Sequence, residues 1–471
     1  MLERFFRLGE NQTGVRTEIL AGVTTFLTMS YIIFVQPAVL SGKMFGMETG
    51  MDFGAVMTAT CLAAALATTI MACYARYPIA QAPGMGENFF FVFSAIPAAT
   101  AAGFTNGWQV ALGTVFVSGV LFLILSLIGV REMIFNAVSP SMKNGIAAGI
   151  GLFIAFIGLQ NAGLILKDPG TAVKLNAHFA SPDLIVFFTG LLTTSVLHAR
   201  KIRGSILWGI VAATVLAVML KLLLPSLGQP IANSPTVTSS KLMTQFQFAS
   251  SVVAAPPSLA PTFLKMDIPN ALSAKMLPFV FVFLFMFMFD AIGTLIGVSE
   301  QAGFMRDNKL PRAREAMVSD AVGTVAGAAL GTSTVTSFIE SASGVEQGGR
   351  TGLTGLVVAA LFLVALFFSP LIAMVGSYPA ITAPALVIVG AMMIQNVTKI
   401  DWKDHSESIP SFLILIGIPL SYSIADGLAL GFISYPIIKL FSGRGREVSW
   451  LAYVVAAVLV LYFVFVRSQM G

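Results

Sequence analysis

The sequence predicts an all-α protein that crosses a membrane many times. Three observations carry that expectation. Of 471 residues, 56% are hydrophobic and 10% charged, and the mean hydropathy is +0.86, a balance that a water-soluble core does not need. Apolar stretches long enough for a hydrocarbon layer of roughly 30 Å recur along the whole chain, separated by short loops. Two further stretches, QAPGMGENFFF (81–91) and GTSTVTSFIESASG (331–344), are too short and too interrupted by Pro, Gly, Ser or Thr to be ordinary spanning helices.

Taken in order, spans are expected at roughly 18–40, 54–74, 80–97, 107–129, 141–162, 183–198, 205–224, 273–298, 317–331, 334–349, 352–375, 380–396, 409–422 and 424–441. A further apolar segment, 449–466, either crosses the bilayer or lies along it. The N-terminal MLERFFRLGENQTG is polar and lacks the pattern of a cleaved signal, so the first span, from Glu18, acts as the insertion signal. The longest polar interruption, 225–272, is rich in Pro, Ser and Thr and is expected to be an external loop joining two halves of seven spans. Seven is odd, so tandem halves face opposite ways, the arithmetic of an inverted repeat. The two interrupted segments then occupy the third place in each half, where broken helices mark a midplane site.

Basic residues set the orientation. With Arg4, Arg7 and Arg16 inside, alternate loops carry clusters such as Arg200, Lys201 and Arg203, or Arg306, Lys309, Arg312 and Arg314, as cytoplasmic loops do. The net charge of +5 follows from this bias, and nucleic acid is not needed to explain it. Cys61 and Cys73 lie twelve residues apart in one expected helix, about 18 Å at 1.5 Å per residue, and cannot pair. His178, His198 and His405 fall in loops or at span ends, so a proton path inside the membrane has to use carboxylates, hydroxyls or water. No Walker loop, Cys/His metal spacing, Gly-x-Ser-x-Gly or dinucleotide fingerprint is present, which leaves an ATP-driven pump, an enzyme or a metal or cofactor site without support.

Two acids stand out against the apolar background, Asp290 at the end of LPFVFVFLFMFMFD and Glu340 in the second interrupted segment. A charge at bilayer mid-depth costs about 2.5–3.5 kcal/mol on insertion scales, so such residues face a cavity and serve binding or ion coupling. In the first interrupted segment Pro83, Gly84 and Gly86 predict an extended entry and a half-helix that starts near Glu87 or Asn88, with its free N–H groups and the Asn88 amide turned to a neutral heterocycle. A kinked packing helix is the competing reading. In the second, Thr332, Ser333, Thr334, Thr336, Ser337, Ser341 and Ser343 are expected to satisfy backbone freed by the extended entry, with Glu340 at the half-helix start, able to accept two parallel N–H bonds. The alternative is a capping carboxylate without a ligand. Asp290, with Thr294 one turn on and no Lys or Arg in a span core, is a candidate proton acceptor, or else a packing hydrogen-bond partner. Phe89, Phe90, Phe287, Phe289 and Phe338 offer faces to a planar ring, although each alone is as well explained by packing or lipid contact.

QAPGMGEN, FDAIGTLIG and GTSTVTSFIESASGVEQGGRTGLTG, in that order, resemble the nucleobase/cation symporter (nucleobase-ascorbate transporter-like) family, and within it the azaguanine-type purine permeases. The resemblance runs from about Arg16 to Ile438. It implies the uracil-permease fold: fourteen spans in two inverted repeats, a core domain from spans 1–4 (18–129) and 8–11 (273–375), a gate domain from spans 5–7 (130–224) and 12–14 (376–441), a cytoplasmic 1–17 and a C-terminal apolar 442–471. It also implies import of hypoxanthine, guanine or adenine across a plasma or bacterial inner membrane, coupled to a proton or another cation, with a homodimer as the common assembly.

Carried over by motif, Gly86, Asn88, Asp290 and Glu340 match substrate-contacting positions, and Phe89 and Thr28 join them as candidates. Asp290, Glu340 and Glu87 are the candidate proton carriers. The family more often has an apolar residue where this chain has Glu87, so a third acid is expected near the site. Xanthine or pyrimidine transport, an anion exchanger or channel of the same general fold, and a non-transporting receptor remain as alternatives.

Overall fold

The computed structural model describes residues 2–128, 138–226, 234–305 and 310–461. Arg306 and Lys309, used above for orientation, lie outside the described residues, as do positions 462–466 of the last apolar segment.

Nine helical stretches among the described residues are long and apolar enough to cross a membrane: Val15–Leu40, Phe53–Ala75, Gly107–Ile128, Pro140–Asn161, Pro182–Ala199, Ser205–Ser226, Leu277–Ser299, Gly352–Gly376 and Pro379–Lys399. The other expected spans fall on helices of 17 or 18 residues, Ala313–Leu330, His405–Ser421 and Ile424–Phe441, and on the two interrupted segments. Trp450–Leu461 is helical. The first stretch is not one straight rod. It comprises α1 (Val15–Met29) and α2 (Ile32–Leu40), with a break at Ser30–Tyr31.

Helix starts follow capping chemistry visible in the sequence. Asp52 accepts the Ala55 N–H at 2.8 Å to open α3 (Phe53–Ile70). Ser139-Pro140 opens α6 (Pro140–Asn161) and Ser181-Pro182 opens α7 (Pro182–Ala199), each a hydroxyl cap followed by proline at the first helical position. Between α3 and α6 in the chain, β1 (Gln81–Pro83) leads into α4 (Met85–Phe90), and α5 (Gly107–Ile128) follows. α8 (Ser205–Leu223) closes the first half, and the second contains α9 (Leu277–Gln301), α10 (Ala313–Leu330), then β4 (Val335–Ser337) leading into α11 (Ser341–Glu346), and α12 (Gly352–Ala365), α13 (Pro379–Met393), α14 (His405–Ser421) and α15 (Ile424–Phe441).

Packing divides the helices. One group joins α1, α3, α5, α9, α10 and α12; the other joins α6, α7, α8, α13, α14 and α15. They meet where α4 touches α6 and α15 and where α8 touches α1. Close approach in the second group depends on glycine, since a Cβ on Gly390 of α13 would collide with the Gly151 carbonyl of α6.

Two local features differ from expectation. A hairpin, β2 (Ile165–Asp168) with β3 (Ala172–Leu175), follows α6, and its turn contains the Pro169-Gly170 signal that an apolar-span reading passes over. The 225–272 segment holds the short helices Pro235–Thr238, Lys241–Thr244 and Ile268–Ala271 and is pinned to the helices. Asp183 accepts the Lys241 and Leu242 N–H groups at 2.9 Å each, and Thr262 donates to the Leu330 carbonyl at 3.0 Å.

Candidate functional site

The two interrupted segments lie side by side as an antiparallel strand pair, Gln81 opposite Ser337, Ala82 opposite Thr336 and Pro83 opposite Val335. Gly84 N–H donates to the Thr334 carbonyl at 3.0 Å and Phe338 N–H to the Ala80 carbonyl at 2.9 Å, so each strand end is closed by the other chain segment. In an apolar interior every backbone group freed from a helix needs such a partner.

The remaining strand groups are satisfied from neighbouring helices. Thr68 of α3 accepts the Gln81 N–H at 2.9 Å and donates to the Gln81 carbonyl at 3.1 Å. Thr324 of α10 does the same for Val335, at 3.0 and 2.8 Å. Of the hydroxyls expected to serve this purpose, Ser341 does so, accepting the Ala80 N–H at 3.0 Å; Thr336 faces Asp290, Thr332 and Ser333 join a side-chain network, and Ser337 turns to Asp320.

The first half-helix begins at Met85, earlier than Glu87 or Asn88, because Gly84 is the last extended residue and its carbonyl already accepts the Asn88 N–H at 3.2 Å. Glu87 therefore sits in the first helical turn, buried, with its carboxylate folded over Gly84, where a Cβ would collide with it. The second half-helix begins directly after Glu340, as expected. Its first amides are not free donors: Ser341, Ala342 and Ser343 N–H groups go to the carbonyls of Phe338, Ile339 and Glu340 at 3.0–3.1 Å.

Asp290 stands between two other acids beside the strand pair in electrostatic terms. Asp290 of α9 faces Thr336 of β4 and is within electrostatic reach of both Glu87 and Glu340. Asp290 and Glu340 are half-buried. Glu340 Oε1 accepts the Tyr31 hydroxyl at 2.9 Å. Among the described residues no cluster of three or more His, Cys, Asp and Glu is placed to hold a metal.

Other expected site residues stand differently. Asn88 is fully buried and its amide is occupied: Nδ2 donates to Gln36 Oε1, while Oδ1 accepts from the Ser333 hydroxyl and from Gln36 Nε2 at 3.1 Å. Gly86 abuts Ile150 of α6, where a Cβ would lie 3.1 Å from the Ile150 Cγ2. The Thr28 hydroxyl donates to main-chain carbonyls, of Thr25 at 2.8 Å and of Glu340 at 3.4 Å. Phe89 has no face free for a ligand, being fully buried with the rings of Phe45, Phe93 and Phe153 at 6.1–6.2 Å. Phe90 packs on Phe283 and Phe287 on Phe122. The Phe289 side chain lies outside the described set.

Four polar residues escaped the sequence reading. Asp320, fully buried in α10, accepts from Gln81 and Ser337. Its signal was present, an acid inside an expected span, but the Ala/Gly-rich surroundings and the charged connector before it masked the contrast. Tyr31 and Gln36 interrupt the run SYIIFVQP, where nothing local distinguishes them from packing residues. Glu18 is buried and caps α12, accepting the N–H groups of Arg350, Thr351 and Thr354 at 2.9–3.3 Å.

Comparisons with known proteins agree with this architecture. The model of the permease family, of the xanthine/uracil type, matches residues 16–430. A guanine/hypoxanthine permease of Bacillus subtilis is 42% identical over 471 residues, covering 99% of this chain and 100% of the relative. An adenine permease of Escherichia coli is 38% identical, covering 100% of this chain and 97% of the relative. Among solved structures, the transmembrane domain of a cyanobacterial bicarbonate transporter superposes with a TM-score of 0.59 at 15% identity, covering 89% of this chain and 97% of that one.

Proposed function

Because the chain belongs to the xanthine/uracil permease family, we propose that it imports purine nucleobases by secondary active transport, with a proton as the coupled ion. The observation that carries this reading is that Asp290, facing β4 where the two interrupted segments pair, stands within electrostatic reach of Glu340 and of Glu87. Acids in an apolar interior suit a neutral guest rich in N–H donors, and repel an anion.

In this reading Glu340 accepts the N1–H of the base, together with the 2-amino group of guanine. Asp290 carries the coupled proton, which relieves its repulsion with Glu340 and Glu87. Phe338, two residues before Glu340, supplies a ring face. Asn88, Gly86, Phe89 and Thr28 shape the site through packing and main-chain or side-chain bonds. The two helix groups act as core and gate, with fourteen spans as two inverted repeats, the N-terminus cytoplasmic and a homodimer as the assembly in the plasma or bacterial inner membrane. The paired service of Gln81 by Thr68 and of Val335 by Thr324 supports the repeat.

Accumulation of labelled hypoxanthine, guanine and adenine in cells expressing the chain, with and without a proton uncoupler, tests substrate and driving force together. Glu340→Gln should cut uptake sharply; full purine uptake by that variant refutes the role of Glu340. Exchange of bicarbonate is the second reading that the shared fold raises. Competition of purines against bicarbonate and sulfate separates the two.

A further inference from the structure

The first span brings to the site a side chain that no reading above assigns. Pro37 in α2 has no N–H to bond the Ile33 carbonyl one turn back. Thr28 and Ser30 turn their hydroxyls onto carbonyls of the preceding turn, Thr25 at 2.8 Å and Leu27 at 3.2 Å, which bends a helix further. At the resulting break Tyr31, only 2% exposed, points its hydroxyl at Glu340 Oε1, 2.9 Å away. Thr28 meets the Glu340 main-chain carbonyl at 3.4 Å, so the first span grips both the backbone and the carboxylate of that residue. Among the described residues no other side chain donates to the Glu340 carboxylate.

We infer that Tyr31 is a positioning residue that occupies one oxygen of Glu340 and thereby sets how many N–H donors a purine must bring. The inference rests on the proposed role of Glu340. Once a bound base displaces water from the half-buried Glu340, its carboxylate needs donors on both oxygens. With the Tyr31 hydroxyl on Oε1, a base offering a single N–H completes the set through Oε2, as hypoxanthine does with N1–H. Without the hydroxyl, Oε1 is left open unless the base brings a second, adjacent donor, as guanine does with its 2-amino group. Tyr31 therefore widens the site to single-donor purines.

The test is the KM and Vmax of Tyr31→Phe for labelled hypoxanthine and guanine, with membrane abundance measured alongside. The expected result is a rise of about tenfold in KM for hypoxanthine and less than about threefold for guanine, with Vmax little changed, the size of one lost hydrogen bond to a charged group. Tyr31→Leu should give the same split. Equal KM changes for the two bases, or none, overturn the inference. A purely structural Tyr31 would lower Vmax for both bases together. If Glu340→Gln leaves purine uptake intact, the reading of Glu340 itself fails; if Glu340→Gln abolishes uptake while Tyr31→Phe shows no split, only the role of Tyr31 fails.

Discussion

Gln81 and Ser337 sit directly opposite each other in the strand pair and donate to the same oxygen, Asp320 Oδ1, at 2.5 and 2.9 Å. One buried acid on a third element thus fixes the register of the two interrupted segments. A slip of one residue would turn each strand's side chains to the opposite face, and Glu340, which follows β4 by three residues, would leave the site. Asp320 is in this sense a staple, set behind the site.

Replacing Asp320 separates its shape from its charge. Asp320→Asn keeps the accepting oxygen and places an N–H at the position of Oδ2, which has no partner, so it should fold and retain most uptake. Asp320→Leu leaves Gln81 and Ser337 unsatisfied, at a cost of about 1–3 kcal/mol for each buried group. Its melting temperature in detergent should fall and purine uptake should drop to background. Equal melting temperatures for the Leu and Asn variants would show that the staple is dispensable.

Much of the fold was legible because long apolar runs with Ser, Thr or Asp before them announce helices, as at Asp52, Ser139 and Ser181. The interrupted segments were legible because Pro83 and the Thr/Ser run of 332–337 cannot continue a helix quietly in lipid. What the residue string hides is pairing. Whether an Asn88 amide faces a guest or a Gln36 depends on which helix lies next to it, and the two bond sets use the same atoms. The part played by Phe89 is hidden for a similar reason: in a chain with 38 phenylalanines, composition gives no way to separate a ring that lines a cavity from one that closes it.

The exchange between Gln36 and Asn88 should behave as a matched pair. Gln36 Nε2 also reaches Thr332 at 2.9 Å and Ser333 at 3.2 Å, so the amide joins the first span to both interrupted segments. Gln36→Leu or Asn88→Leu alone leaves a buried amide without its partner. The double replacement removes both, and should cost less stability than the sum of the single changes by about 0.5–3 kcal/mol. Melting temperatures of the four proteins close the cycle. Strict additivity would mean that the two amides do not depend on each other.

Beyond the ends of α14 and α15, outside the spans, Arg444 bonds Asp404 at 2.6 Å and Glu447 at 2.7 Å, and the Lys439 ammonium reaches out from the last turn of α15 to Glu447 at 3.0 Å. The Ser406 hydroxyl and Arg444 hold the Asp404 carboxyl well below the usual carboxylate range. Arg444, with Lys439, holds Glu447 down at about 2. Both folded values lie below the unfolded ones, about 3.9 and 4.3, so the contribution is complete above those values and is lost as pH falls toward 2. Thermal unfolding should be insensitive to this network from pH 8 to about 5 and should weaken below about pH 4. Glu447→Gln should flatten that decline. An unchanged acid profile in this variant would remove Glu447 from the account.

The aromatic cluster that encloses Phe89 spans both helix groups. Phe93 lies 5.5 Å from Tyr422, and Phe153 of α6 lies 5.3 Å from the same ring. Tyr422 follows α14 in a left-handed conformation, φ 55°, and its hydroxyl bonds Gln160 of α6, so its ring is held by the second group while it packs on the first. Transport by movement of one group past the other has to break these ring contacts in each cycle. With Cys61 and Cys73 replaced by Ala, cysteines at 93 and 422 joined by a cleavable bis-thiol reagent should stop purine uptake, and cleavage of the link should restore it. Either cysteine alone, treated the same way, should transport normally. Full uptake with the link in place would mean that the two groups travel together, and that the substrate crosses by some route other than their separation.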